Sequence, residues 1–299
     1  MLKRWGIYCK EMFPIPLHLL LGFIVFGEIY LVLLLNYGIT QFNVGIQEII
    51  VAFSLFVFLF LLRIVDDFKD YKTDLIKHPE RPLPSGRVTK KDLIVLGVLV
   101  FGVTTVLNII FMNNVIYFAL AILYGAFMSV WFCYSEKLKK DFIFMMFTHT
   151  PYLLLMNVYA ISFICMKYGI GEISYIVVCL AFSLYLIGFI RGVAKEIKQP
   201  KKDMAEITEV DVKNNKKYAI VVAIFAVIYT VVDIILVWNL NIFAVAILAV
   251  NLVWMLVKIK QFIKQPANVK IYNKAIIYVV VQESIVILSA VVNLISGKI

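Results

Sequence analysis

Residues 49–74 read IIVAFSLFVFLFLLRIVDDFKDYKTD, a long apolar run that ends in a cluster of aspartates. No charged residue occurs in 49–62, whereas four aspartates fall within 66–74. A helix needs about 20 predominantly apolar residues to cross the hydrocarbon core of a bilayer, and the stretch 44–65 provides them. The sequence therefore predicts a membrane-spanning helix that carries several carboxylates at one end.

The composition of the whole chain supports a membrane protein. The 299 residues are 63% hydrophobic and their mean hydropathy is +0.93, which is more apolar surface than a soluble core can bury. We predict an all-α membrane protein with nine membrane-spanning helices. The predicted spans are 15–36, 44–65, 92–112, 115–134, 142–165, 173–193, 218–238, 241–259 and 274–296.

The basic residues predict the orientation of these spans. If the N-terminus is cytoplasmic and the spans alternate, all 29 Lys and Arg residues except Lys167 and Lys298 lie on the cytoplasmic side or in helix ends that face it, in agreement with the positive-inside rule. Topology and anionic lipid then explain the net charge of +10. Because the basic residues are spread over separate loops, we expect the lipid bilayer as a partner, and neither nucleic acid nor an obligate protein partner.

The N-terminal segment and the cysteines give two further expectations. MLKRWGIYCKEMF is predicted to lie as an interfacial helix, with Trp5, Tyr8 and Phe13 at the lipid headgroups. The four cysteines show no paired spacing, so we expect neither a disulfide nor a cysteine-bound metal.

Two polar segments, 66–91 and 195–217, stand out among otherwise short connections. In the first segment, three aspartates have the spacing i, i+3, i+7, which places them on one face of a helix. They are Asp67, Asp70 and Asp74. The second segment repeats the spacing with Glu196, Gln199 and Asp203. Each segment follows an even-numbered span on the same membrane side, so we predict two acidic stripes that face one another.

The first acidic stripe is followed by the turn HPERPLPSGR, residues 78–87. Its three prolines and its glycine exclude a helix there, and the turn is predicted to bring Arg81 and Arg87 back towards the stripe. Thr89, with Asp92 three residues later, is typical of a helix N-cap, so a new helix is predicted to begin at this point.

This combination of residues favours binding of a metal-bound diphosphate. Carboxylates one helical turn apart repel each other, and a divalent cation removes that repulsion. Oxygen ligands without nearby His or Cys suit Mg²⁺, which usually bridges to substrate phosphates. Arginines among the carboxylates suit the diphosphate itself. An anionic group held at the mouth of an apolar helix bundle matches a prenyl diphosphate, whose departing diphosphate would be stabilised by metal and cations.

The segment RIVDDFKDYKTDLIKHPERPLPSGRV, residues 63–88, resembles the first signature of the UbiA superfamily of intramembrane prenyltransferases. That signature is NDxxDxxxD followed by RPxPSGR, and here Asp66 replaces the usual Asn. The second family signature, DxxDxxxD, is similar to KEIKQPKKD at 195–203, although Glu196 and Gln199 replace its first two aspartates. A looser match is CYSEKLKKD at 133–141, which resembles the family's YS-x-x-LKR turn.

The resemblance implies a single domain over 1–299, with the helices bundled around a central cavity that opens to the bilayer. It implies two Mg²⁺ ions, one bound by the first acidic stripe and one by the second. The residues implied in diphosphate binding are Arg81, Arg87, Lys137, Lys139 and Lys195. It also implies a prokaryotic cell membrane, with the active site facing the cytoplasm.

The acceptor of the prenyl group is less well defined by the sequence. We expect a lipophilic, aromatic acceptor, with His149, Asn157 and Tyr124 as candidate binding residues. Glu28, Asp233 and Glu283 also fall within predicted spans, where ionisable groups are costly. Glu283 is expected to line the cavity or to pair with another helix. Glu28 and Asp233 lie nearer the span ends and are expected to be structural or water-facing.

Two other functions compete with prenyl transfer. A terpene cyclase on the same scaffold would use the same acidic stripes without an acceptor. A transporter or a non-catalytic lipid-binding protein would place its charges at the bilayer midplane, whereas this chain concentrates its acids at one membrane face. We therefore favour Mg²⁺-dependent transfer of an isoprenyl group from its diphosphate.

Overall fold

The computed structural model describes residues 1–134, 142–197, 209–265 and 269–297, and the regular elements in these ranges are all α-helices. The helices are α1 (Leu2–Glu11), α2 (Ile15–Asn36), α3 (Ile46–Lys69), α4 (Tyr71–Lys77), α5 (Lys90–Phe111), α6 (Val115–Tyr134), α7 (Phe142–His149), α8 (Pro151–Tyr168), α9 (Tyr175–Glu196), α10 (Glu209–Val237), α11 (Ile242–Lys264) and α12 (Ile271–Ser296). The predicted all-α class is confirmed.

Eight of the predicted spans coincide with helical segments that are long and apolar enough to cross a membrane. The remaining one, 115–134, coincides with α6, whose apolar part within the described residues is Val115–Met128. The predicted span 142–165 is divided into α7 and α8, because Pro151 lacks the N–H that would continue the first helix. Proline is well accommodated at the start of α8, where that N–H is not needed.

The chain divides into two compact units. The first unit comprises residues 1–27, 42–140 and 158–171. In it α3 contacts α4, α5 and α6, and α1 contacts α5. An apolar cluster that includes Tyr8, Phe13, Phe60, Leu83 and Val88 anchors both the N-terminal segment and the turn after α4.

Close approach of α2 to α3 in the first unit depends on Gly22. A Cβ atom at this position would lie 2.8 Å from the backbone oxygen of Ala52 and 3.1 Å from Cβ of Phe56. Small residues allow such close contacts between helices in a membrane, where tight van der Waals packing is a main source of association energy.

The second unit comprises residues 28–41, 141–157 and 172–299. Here α10 contacts α9, α11 and α12, and α12 also contacts α9. Its apolar cluster contains Phe189, Tyr229, Phe262 and Tyr278. The rings of Phe189 and Phe225 stack with 3.9 Å between their centroids.

Buried polar groups of the first unit are largely paired with each other. The Tyr159 hydroxyl donates to Oδ1 of Asn108 at 2.7 Å, and the Asn108 amide donates to Oγ of Ser54 at 3.0 Å. Lys167, one of the two exceptions to the predicted charge distribution, forms an ion pair with the buried Glu48. This pairing gives the ammonium group a local partner and explains why a cation is tolerated there.

Three acidic side chains from different helices come together in the second unit. Glu283 accepts a hydrogen bond from the Tyr229 hydroxyl and is hydrogen-bonded with Glu28. Asp233, on a third helix, lies within electrostatic range of Glu283. Glu28 and Asp233 are buried, so of the two expected alternatives the water-facing one is wrong and the structural one remains.

Candidate functional site

The first acidic stripe is divided between two helices. The sequence predicts Asp67, Asp70 and Asp74 on one face of one helix, but α3 ends at Lys69 and α4 begins at Tyr71. Asp70 joins them with φ −87° and ψ 0°, outside helical geometry. Asp67 and Asp74 are 4% and 6% exposed, whereas the side chain of Asp70 is exposed.

Asp67 and Asp74 line the same small pocket. The other lining residues are Tyr8, Met12, Arg81, Leu83 and Pro84. The pocket is thus built from α1, the end of α3, α4 and the proline-rich turn. Three residues that the sequence singled out lie together here, and two residues of the N-terminal segment join them.

Each buried carboxylate in this pocket has a cation beside it. Nη2 of Arg63 donates to Oδ1 of Asp67 at 2.6 Å, and Nη1 of Arg81 donates to Oδ2 of Asp74 at 2.6 Å. These charge-assisted hydrogen bonds are short and strong. They offset the cost of removing the carboxylates from water.

The second oxygen of Asp67 is held by a tyrosine from α1. The Tyr8 hydroxyl donates to Oδ2 of Asp67 at 2.6 Å, and Tyr8 is fully buried. Burial raises the pKa of Tyr8 far above its usual value, and the charge of Asp67 raises it further. The phenol therefore keeps its proton and acts as a hydrogen-bond donor.

Arg87 lies at the end of the turn and points towards α1. Its Nη1 and Nη2 atoms donate to the two carboxylate oxygens of Glu11 at 2.6 and 2.8 Å. Nη2 also donates to the backbone oxygen of Glu80 at 2.6 Å. The hydrogen bond from Arg87 holds the pKa of Glu11 below its usual value. Arg87 is exposed and is not among the residues lining the pocket.

The turn and the start of α5 hold α1 in place. Gly86 has φ +75°, a conformation that glycine adopts without strain. Nε1 of Trp5 donates to the backbone oxygen of Asp92 at 2.9 Å, and the guanidinium of Arg4 lies 3.1 Å from the Asp92 carboxylate. The predicted N-cap is confirmed, since the Asp92 N–H donates to Oγ1 of Thr89 at 3.2 Å.

The N-terminal helix therefore contributes to the site in a way that its sequence does not indicate. The sequence predicts Tyr8 and Phe13 at the lipid headgroups, but both are buried in the protein. The spacing of Trp5 and Tyr8 on one face of α1 is the available signal. It fits contact with lipid equally well, because a single helix does not show whether lipid or protein covers its apolar face.

The second acidic segment is described only in part. Lys195 and Glu196 are the last two residues of α9, and both side chains are exposed. Gln199 and Asp203 lie outside the described residues, as do Lys137 and Lys139.

The candidate acceptor residues belong to three different helices. His149 ends α7 and is half-buried, and Tyr124 is a half-buried residue of α6. Asn157 is buried and uses its amide hydrogens on the backbone oxygen of Leu180, at 2.6 Å, and on Oγ of Ser183, at 3.0 Å. Asn157 thus joins α8 to α9.

The donor set of the pocket fits Mg²⁺ that is bound together with a phosphate ligand. Within the described ranges, no group of three or more His, Cys, Asp or Glu side chains has an arrangement that could hold a metal ion by itself. Mg²⁺ usually takes one or two carboxylates and completes its shell with water and substrate phosphate oxygens. Asp67 and Asp74 provide two such carboxylates in one pocket.

Comparisons with known proteins agree with this architecture. The digeranylgeranylglyceryl phosphate synthase of Thermococcus kodakarensis is 30% identical over 196 residues, which cover 62% of this chain and 65% of that protein. The synthase of the same name from Methanobrevibacter smithii is 27% identical over 177 residues, which cover 55% and 56%. The chain thus spans less than two thirds of the length of these relatives.

A solved structure and a family profile extend the comparison to most of the chain. A structure described as that of a digeranylgeranylglyceryl phosphate synthase in membranes covers 98% of this chain and 99% of its own, with a TM-score of 0.58 and 17% identity. This similarity shows a shared fold. The profile of the UbiA prenyltransferase family matches residues 17–277, which include the divided aspartate stripe and the proline-rich turn. The protein therefore belongs to the UbiA prenyltransferase family.

Proposed function

We propose that the protein transfers an isoprenyl group from a prenyl diphosphate to the hydroxyl group of a glyceryl phosphate lipid, in a Mg²⁺-dependent reaction. The observation that carries this proposal is the pocket in which Asp67, Asp74 and Arg81 lie together beside the end of a membrane-spanning helix. Family membership supports prenyl transfer as the reaction class.

The residues of the pocket account for binding and for departure of the diphosphate. The Arg81 guanidinium uses one N–H on Asp74 and has further N–H groups for diphosphate oxygens. When bound at Asp67 and Asp74, Mg²⁺ would neutralise charge on the leaving diphosphate. The bond between the prenyl carbon and the diphosphate oxygen breaks, and the acceptor hydroxyl oxygen bonds to that carbon. The hydroxyl proton passes to a diphosphate oxygen.

The names of the relatives support a glyceryl phosphate as the acceptor. Both are digeranylgeranylglyceryl phosphate synthases, so their product contains two geranylgeranyl groups on a glyceryl phosphate. We extend that chemistry to this chain and replace the aromatic acceptor expected from the sequence. The proposed donor is geranylgeranyl diphosphate, and the proposed acceptor is a glyceryl phosphate that already carries one geranylgeranyl group.

The second acidic segment resembles the second signature of the family, and we propose its role on that basis. We assign Glu196, Gln199 and Asp203 to a second Mg²⁺ ion. We assign Arg87, Lys137, Lys139 and Lys195 to the remaining diphosphate charge. The proposed location is a prokaryotic cell membrane with this face towards the cytoplasm, as the distribution of basic residues predicts.

The test is an assay of the purified protein in lipid nanodiscs with labelled geranylgeranyl diphosphate and Mg²⁺. One reaction contains geranylgeranylglyceryl phosphate, a second contains a hydroxybenzoate, and a third contains no acceptor. We expect ether product and diphosphate release only in the first, and neither after chelation of Mg²⁺ or in the D67N/D74N variant.

Each alternative has its own outcome. Prenylation of the hydroxybenzoate alone would show that the acceptor is wrong, and a cyclic hydrocarbon without acceptor would identify a terpene cyclase. Absence of diphosphate release under all three conditions would contradict the proposed reaction class.

A further inference from the structure

Tyr8 touches the candidate metal-binding carboxylate directly, although it lies 59 residues away in the sequence. Its hydroxyl is 2.6 Å from Oδ2 of Asp67, while Arg63 approaches Oδ1 from the same helix as Asp67. Together the two donors hold both oxygens of the carboxylate. Rotation of the Asp67 side chain would break at least one of these bonds.

The hydrogen bonds leave Asp67 able to accept further ligands. An ionised carboxylate offers about four lone-pair positions, and the two donors occupy one position on each oxygen. The remaining positions are available to a cation. Carboxylates that bind metals are commonly oriented by hydrogen bonds of this kind from residues that do not touch the metal.

The position of the Tyr8 hydroxyl is itself determined by contacts of α1. The Tyr8 ring is buried beside Phe60, with 6.4 Å between the ring centroids in an edge-to-face arrangement. One turn earlier, Trp5 is bound to the backbone of Asp92. Helix α1 therefore presents the hydroxyl at a defined place on the wall of the pocket.

We propose that Tyr8 is a positioning residue that orients the Asp67 carboxylate for binding of the metal-bound diphosphate, so that α1 forms one wall of the active site. This inference rests on the proposed function, because it assumes that Asp67 contributes to metal binding. It assigns a role in metal binding to the N-terminal helix, in addition to packing.

The first experiment measures metal binding without catalysis. Mn²⁺ is titrated by electron paramagnetic resonance into the full-length protein in nanodiscs, in the presence of inorganic diphosphate. Tyr8→Phe removes only the hydroxyl and keeps the ring that packs against Phe60. We expect it to weaken Mn²⁺ binding by about 10- to 100-fold, the usual effect of losing a residue that orients a metal ligand.

Tyr159→Phe provides a matched control, because it also removes only the hydroxyl of a fully buried tyrosine. It removes a hydrogen bond to Asn108 and lies outside the pocket that contains Tyr8 and Asp67. We expect its Mn²⁺ affinity to equal that of the wild type, even if its melting temperature falls. Wild-type affinity in Tyr8→Phe, or equal weakening in both variants, would overturn the proposal.

A second measurement separates positioning from a damaged fold. In the transfer assay, loss of positioning raises the Mg²⁺ concentration needed for half-maximal activity, while kcat at saturating Mg²⁺ is largely retained. A damaged fold lowers kcat at every Mg²⁺ concentration, and that result would contradict the proposal. A wild-type protein that fails to bind Mn²⁺ with diphosphate, or to release diphosphate from substrate, would instead refute the proposed function.

Discussion

Asp67, Asp70 and Asp74 belong to one sequence pattern but differ in their surroundings. Asp67 accepts hydrogen bonds from Tyr8 and Arg63, and Asp74 accepts one from Arg81. Asp70 forms the junction of two helices and is exposed. Asp67 and Asp74 therefore lose contact with water and Asp70 does not. The hydrogen bonds from neighbouring arginines are needed to offset the free-energy cost of burying those two carboxylates.

Replacement of Arg81 tests this dependence. Arg81→Gln leaves the buried Asp74 without its cation, and we expect a loss of about 1–3 kcal/mol in the free energy of unfolding. Arg87→Gln is the matched control, because its ion pair with Glu11 is solvent-exposed and such pairs contribute little. Thermal unfolding in detergent measures both. Equal losses in the free energy of unfolding of the two variants would show that the ion pair with Arg81 is not needed to stabilise the buried Asp74 carboxylate.

The contact between Glu11 and Arg87 gives a prediction about substrate affinity. The Glu11 carboxylate accepts hydrogen bonds from Nη1 and Nη2 of Arg87. A diphosphate that binds the Arg87 guanidinium must therefore displace Glu11. We expect Glu11→Gln to lower the KM for prenyl diphosphate several-fold, because the competing charge is removed. Glu80→Gln is the control, since that carboxylate faces His78 instead. An unchanged or higher KM in Glu11→Gln would exclude competition for Arg87.

At the level of the helices, a helix end can be predicted where the sequence has a local signal for it, such as a proline or an N-cap residue. The proline at 151 and the N-cap at Thr89 lie in the sequence as local signals, and α8 and α5 begin there. The end of α3 at Lys69 has no such signal, since neither proline nor glycine occurs nearby. The placement of Tyr8 was also unpredictable, because it depends on a residue of another helix.

Gly22 gives a prediction about the packing of α2 against α3. A methyl group at this position would meet the Ala52 backbone oxygen at 2.8 Å, so the helices must separate. We expect Gly22→Ala to reduce the free energy of unfolding by about 1–3 kcal/mol, as overpacking does. In the same helix, the place that a Cβ atom of residue 27 would occupy has no neighbouring atom within 4 Å. Gly27→Ala is therefore expected to be neutral, and similar melting temperatures for the two variants would contradict the close approach.

For the molecule as a whole, apolar length was sufficient to predict the all-α class and the positions of the long helices. The nine predicted spans all coincide with helical segments, and eight are long and apolar enough to cross a membrane. The burial of Glu28 and Asp233 beside Glu283 was not predictable, because it arises from packing between α2, α10 and α12. Hydropathy measures each helix separately and contains no information about its neighbours.

The orientation of the chain is a prediction that labelling can test. Lys77 lies in α4 on the predicted cytoplasmic side, and Glu172 lies between α8 and α9 on the opposite side. Both are exposed. In a variant without the four native cysteines, a membrane-impermeant maleimide added to intact cells is expected to label Glu172→Cys but not Lys77→Cys. The reverse pattern would invert the predicted topology.

The docking of α1 also has a consequence for the order in which the protein is assembled. Helix α1 is synthesised before its partners, since Tyr8 precedes Asp67 by 59 residues and Trp5 precedes Asp92 by 87 residues. During translation α1 cannot form these contacts until α3 has been inserted and the first residues of α5 have been synthesised. Helix α1 thus leaves the ribosome before the residues that it contacts, and it reaches its final contacts only after they have been synthesised. Completion of the pocket therefore requires α3 to be inserted and the proline-rich turn to be in place, before the later helices of the first unit are synthesised.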